Sequence, residues 1–169
     1  MKRFVLVLVL GLLTLLIQGT VIRGLLPHFF VPNLIVILAV FLAFYESSIL
    51  GCILVFLLGL MLDMSGGVVL GPWAGSMVFI FAVVAVLAQR IFVESPVAVM
   101  VTTSICALVA NVVHAGLSYQ VSRAEFASYG RVFGEAFVTA LLCPLLFPLL
   151  RKLLAVKTER TGHRRSSYI

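Results

Sequence analysis

A chain of 169 residues that is 63% apolar and only 11% charged cannot cover a water-soluble fold, whose norm is about 45–50% apolar and about 25% charged. At about 20 apolar residues per bilayer crossing, the length holds five or six membrane spans with short connections and leaves no room for a soluble domain. The net charge of +6 does not point to nucleic acid. Half of the twelve Lys and Arg lie in the last nineteen residues, beside a membrane span, where orientation or anionic lipid accounts for them.

The opening MKRFVLVLVLGLLTLL has the charged and apolar regions of a signal peptide. Its apolar run continues to Ile22 without a small-residue cleavage site, so it reads as a retained first span. Five further apolar runs follow, over 29–45, 47–62, 68–88, 96–120 and 132–150. Backbone groups in hydrocarbon need internal partners, and the alternating pattern of a membrane strand is absent from the sequence, so the fold class is an all-α, polytopic membrane bundle. Only Glu46 divides the second and third runs. One helix over 29–62 would extend about 50 Å, too long for a bilayer, so a tight helical hairpin is expected.

Six spans with a cytoplasmic N-terminus place Lys2, Arg3, Arg90, Arg151, Lys152, Lys157, Arg160, Arg164 and Arg165 inside, and Arg23, Arg123 and Arg131 outside. This satisfies the positive-inside rule, and two basic termini on one side require an even number of spans, six or alternatively four. The longest external connection is then 121–131, and Tyr119 just before it and Tyr129 within it suit an aromatic interface belt. Residues 1–150 form a single transmembrane domain, and 151–169 a basic, mobile cytoplasmic tail.

In such a chain each polar group needs a reason. Asp63 follows the third run and is expected at the outer interface, where Ser65, Gly66 and Gly67 turn the chain. There it would accept hydrogen bonds from the first N–H groups of the fourth helix, and a partner contact or polar pocket is compatible with that role. Gly67, Gly71 and Gly75 are spaced by four and would share one helix face, for intramolecular packing or a subunit contact; alternatively, Pro72 makes the helix begin later.

Three polar stripes at helical spacing should point inward: Gly11, Thr14 and Gln18; Ser104, Asn111, His114 and Ser118; and Arg131, Glu135, Thr139 and Cys143. Asn111 and His114 suit a proton relay or substrate site, or a neutral histidine bonded to a neighbouring helix. Glu135, one turn after Arg131, suits an exposed ion pair. Cys52, Cys106 and Cys143 lie in apolar runs and read as packing residues, with no metal-ligand spacing. Enzyme motifs are missing from the sequence, and no cofactor is expected.

Two stretches carry a resemblance. VPNLIVILAVFLAFYE, with Pro32 and Asn33 opening the second span, and GLMLDMSGGVVLGPWAG, with Gly59, Asp63, Ser65, Leu70 and Gly71, resemble the bacterial rod shape-determining MreD family. The family often has Pro where Val69 stands and Asp where Asn33 stands. The resemblance covers nearly the whole chain. It implies a non-enzymatic, six-span subunit of the inner-membrane machinery that elongates the side wall. Members associate with MreC, a single-span periplasmic scaffold, alongside MreB, RodA and a class B penicillin-binding protein. A distant similarity to the substrate-binding subunits of vitamin uptake transporters is also implied. Two functions are therefore expected: a scaffold that binds MreC, or alternatively a solute-binding subunit or carrier with Gln18, Asn111 and His114 as its internal site.

Overall fold

The computed structural model describes residues 2–22, 31–66, 70–88, 96–122 and 129–154. Among the described residues, six helices account for the six apolar runs. They are α1, Lys2–Leu16, continued by a π-helical segment, Ile17–Ile22; α2, Leu34–Tyr45; α3, Ile49–Gly66; α4, Pro72–Leu87; α5, Pro96–Ser122; and α6, Tyr129–Leu153. The external connection, expected over 121–131, is shorter than that: α5 runs through Ser122 and α6 starts at Tyr129, and residues 123–128, the tail beyond Leu154 and Gly67 lie outside the described residues. So do Arg23, Arg90 and Arg123.

The helices differ in reach. By length and apolarity, Ile49–Gly66, Val97–Tyr119 and Val132–Leu153 are long enough to cross a membrane, whereas Phe4–Thr20, Leu34–Tyr45 and Pro72–Leu87 are shorter. At about 1.5 Å per residue, α2 extends only about 18 Å. The second run therefore does not form a helix over its whole expected length. Asn33 caps it, its side-chain Oδ1 accepting the Val36 N–H at 3.3 Å, and Pro32 before the cap cannot donate to the helix.

The shortest helix occupies the centre. Every residue from Leu34 to Ala43 is buried, and α2 packs against α1, α3, α4, α5 and α6. Its sequence, LIVILAVFLAFY, has no polar face, the pattern of a helix enclosed on all sides. Glu46 and Ser48 then turn the chain into α3: the Ser48 hydroxyl donates to the Glu46 carboxylate at 3.1 Å and accepts the Gly51 N–H at 3.3 Å. The expected hairpin is thus present, with its first arm inside the bundle.

Helices α3 and α4 make the closest backbone approach. A Cβ at Gly59 would stand 2.5 Å from Ala74 Cα and 2.9 Å from Ala74 N, too near for either helix to yield without separating. Phe41 and Phe147 meet edge-on at 5.3 Å between centroids, and Tyr45 lies 4.6 Å from Phe41, closing the opposite end of α2. Gly59→Val should force α3 from α4 and cost about 1–3 kcal/mol or more, read as a lower thermal unfolding midpoint in detergent. At Gly66 a Cβ meets nothing within 4 Å, so Gly66→Ala should leave that midpoint unchanged.

Candidate functional site

One carboxylate organises the α3–α4 connection. Asp63 is 0% exposed and accepts three backbone hydrogen bonds from the start of α4. Gly71 and Ala74 N–H donate to Oδ2 at 2.9 and 3.1 Å, and Trp73 N–H donates to Oδ1 at 3.0 Å. These belong to the donors that a helix leaves unpaired at its N-terminus, and Pro72, in the first turn, has no N–H to satisfy. The negative charge also faces the positive end of the α4 dipole. Gly59 lies one turn before Asp63 on the same face of α3. Its missing Cβ lets the Trp73–Ala74 backbone come within reach of the carboxylate.

The expected cap is present, with two corrections. Helix α3 continues through Gly66, so Asp63 sits inside its last turn rather than in the loop. Ser65 is helical, its hydroxyl donating to the Leu62 carbonyl at 2.9 Å. Of the two expectations for the glycines, the later helix start at Pro72 is the one observed, and Gly67 lies outside the described residues. Gly71 is the N-cap of α4, with φ of 118°, a left-handed backbone that side-chain-bearing residues rarely adopt, and its carbonyl accepts the Gly75 N–H at 2.8 Å. Helix α4 thus begins at Pro72, and Gly75 lies in its first turn, near the Leu117 side chain of α5.

The polar stripes converge on the same end of the bundle. The Leu34 N–H donates to Gln18 Oε1 at 3.2 Å, joining α1 to α2. The Asn33 N–H donates to Thr139 Oγ1 at 2.9 Å, joining α2 to α6, and the Thr139 hydroxyl donates in turn to the Glu135 backbone carbonyl at 2.6 Å. Asn111 Nδ2 donates to Glu135 Oε1 at 3.3 Å, joining α6 to α5, and to the Ala107 carbonyl at 2.9 Å. Finally, His114 stacks on Trp73 with centroids 4.1 Å apart and planes at 19°, joining α5 to α4, which Asp63 joins to α3. One polar seam therefore touches all six helices.

This seam answers the sequence expectations residue by residue. Gln18, Asn33, Asn111 and Thr139 hold helices together. Glu135 is half-buried and turned toward α5; the side chain of Arg131, its expected ion-pair partner, lies outside the description. His114 Nε2 stands 3.4 Å from Ser118 Oγ, and its buried Nδ1 has no hydrogen-bond partner among the described residues. Trp73 was not singled out by the sequence reading; its signal is its place in the first turn after Pro72. Among the described residues no three His, Cys, Asp or Glu are grouped to hold a metal, and the three cysteines are free thiols.

Asp63→Ala should leave three N–H groups unpaired at about 1–3 kcal/mol each and abolish recovery of folded protein in mild detergent. Asp63→Asn should fall between, since its amide presents one acceptor and two donors. Thr139→Val, which removes the acceptor for the Asn33 N–H, should cost about 1–3 kcal/mol. Thr139→Ser should restore the wild-type unfolding midpoint.

Comparison with known proteins supplies the family. No curated protein and no solved structure gives a significant match. Residues 1–157 match the family described as rod shape-determining protein MreD, a span that includes every helix, the Asp63 cap and the seam. The chain therefore belongs to the MreD family of bacterial rod shape-determining proteins, non-enzymatic membrane proteins associated with the rod complex.

Proposed function

We propose that the protein is a membrane scaffold of the cell-elongation complex. In this reading it lies in the bacterial inner membrane with both termini cytoplasmic, binds MreC, and links it to RodA, a class B penicillin-binding protein and MreB for side-wall peptidoglycan synthesis. The observation that carries the reading is the α3–α4 turn. Asp63 fixes it from within, while Met64 and Leu70 are 78% and 66% exposed, and Gly66 and Gly71 leave open space beside them. Exposed apolar side chains on either side of a helix end suit a membrane-proximal segment of a single-span partner. Pro32, Asn33 and Gly75 act at one remove, by holding α2 and α4 in place. The basic tail, with Lys157, Arg160, Arg164 and Arg165, adds attraction for anionic lipid.

The carrier reading has less support. Its candidate residues Gln18 and Asn111 are engaged with other helices, and α2 fills the centre where a solute would sit.

Copurification of tagged protein with MreC from detergent, at matched membrane levels, tests the scaffold reading. Met64→Glu and Leu70→Glu should each weaken recovery by about five- to thirty-fold, the equivalent of about 1–2 kcal/mol at an interface, while Ser65→Ala should not. Unchanged MreC recovery and normal rod shape in both glutamate variants would overturn this surface. Recovery of an energy-coupling transporter subunit in place of any wall-synthesis protein would favour the carrier.

A further inference from the structure

The helices do not present the same height of apolar surface. On α3 the exposed apolar side chains run from Ile49 through Ile53 and Phe56 to Met64, a rise of about 22 Å. Helix α4 rises by a similar amount from Pro72 to Leu87, again about 22 Å. On α6 the exposed series from Phe133 through Phe137, Leu141, Leu145 and Leu149 to Leu153 spans about 30 Å, and on α5 Val97 to Tyr119 spans about 33 Å. A bilayer core is about 30 Å thick. The α5–α6 side matches it, and the α3–α4 side is short by about 7–8 Å.

Contacts inside the bundle locate the shortfall. The Arg151 guanidinium of α6 stands 5.9 Å from the Tyr45 ring centroid, four residues before α3 begins, so α3 and α6 are level at that end. At the opposite end His114 of α5 stacks on Trp73, whose N–H is held by Asp63. Helix α5 continues from there to Ser122, about 12 Å further. Helix α3 ends three residues after Asp63, and Gly71 is bound to the same carboxylate. The missing height is therefore at the α3–α4 turn.

A span shorter than the bilayer core is accommodated by flanking side chains that reach the headgroups, by association with another chain, or by thinning of the lipid; tilting shortens it further. Long cationic side chains do the reaching, and the sequence holds no Lys or Arg between Arg23 and Arg90. Neither end of α3 nor the start of α4 carries one. We infer that lipid covers the α3–α4 face and that the leaflet on the side of the turn is drawn inward there, so the membrane beside α3 and α4 is thinner than the membrane beside α5 and α6. The protein then sets up a step in bilayer thickness across its own width. The surface is selective for short acyl chains and concerns lipid, so it stands apart from the protein partner proposed for the turn.

Nitroxide labels test this on the full chain in phosphatidylcholine vesicles with a core of about 30 Å. Each label reports its collisions with oxygen, concentrated in hydrocarbon, and with a neutral nickel chelate, confined to water. Cys52→Ala removes the half-buried thiol, while Cys106 and Cys143 are buried and stay. Single labels go to Ile49→Cys and Met64→Cys at the ends of the short face, to Phe56→Cys between them, and to Phe133→Cys and Leu153→Cys at the ends of α6, all exposed positions. Thinning predicts chelate contact at Ile49 and Met64 within about two-fold of that at the α6 pair, with oxygen contact dominant at Phe56. Chelate contact at either end of α3 several-fold below that at the α6 ends places that end in unthinned hydrocarbon and overturns the inference. A Phe56 label screened from both reagents overturns it too, because protein and not lipid then covers the face. Leu70→Cys, across the turn, gives the same reading if the label at Met64 disturbs folding.

Discussion

A helix whose first turn is buried has no water to accept its first N–H groups, and each one left unpaired costs about 1–3 kcal/mol. Here the acceptor comes from the neighbouring helix, as Asp63 takes three of these donors from α4. The other features of the α3–α4 turn follow from that arrangement. Gly59 must lack a side chain so that the α4 backbone can approach, Gly71 must adopt a left-handed backbone to aim its N–H at Oδ2, and Pro72 can open the helix because one donor fewer needs a partner. The buried carboxylate is stabilised by these hydrogen bonds and by the helix dipole it completes.

The start of α2 repeats the problem with neutral groups. Its donors are met by Gln18, Asn33 and Thr139, and Thr139 and Glu135 carry the contacts on to Asn111 of α5, the helix whose His114 stacks on Trp73. In lipid, apolar helix surfaces have no hydrophobic drive to join one another, so packing and directional contacts between helices specify which faces meet. The seam gives the bundle that specificity at one end. At the other end, aromatic packing around Phe41 closes α2, and Glu46 and Ser48 turn the chain into α3.

The sequence made the helical class, the six elements, the hairpin at Glu46 and the capping role of Asp63 legible, because each rests on short-range pattern: apolar run length, one interrupting acid, one carboxylate before a Gly and Pro start. It also marked Gln18, Asn111 and Thr139 as inward. It did not show which helix each would meet, since stripes give a direction but no partner. The equal spacing of Gly67, Gly71 and Gly75 suggested a face, but Gly71 has a backbone conformation outside the helix and Pro72 resets the start. The central position of α2 was visible only as an all-apolar sequence twelve residues long, which a lipid-facing helix would also show.

The chain contains a single tryptophan, and it stands at the junction just described. Trp73 donates its backbone N–H to Asp63 and lays its ring on His114. Indole fluorescence from the whole protein therefore originates at one point, where α3, α4 and α5 meet. Its colour and intensity report on hydration of that junction and on the presence of the imidazole against it. The unmodified chain thus carries its own optical gauge of the turn, readable in a membrane without a dye.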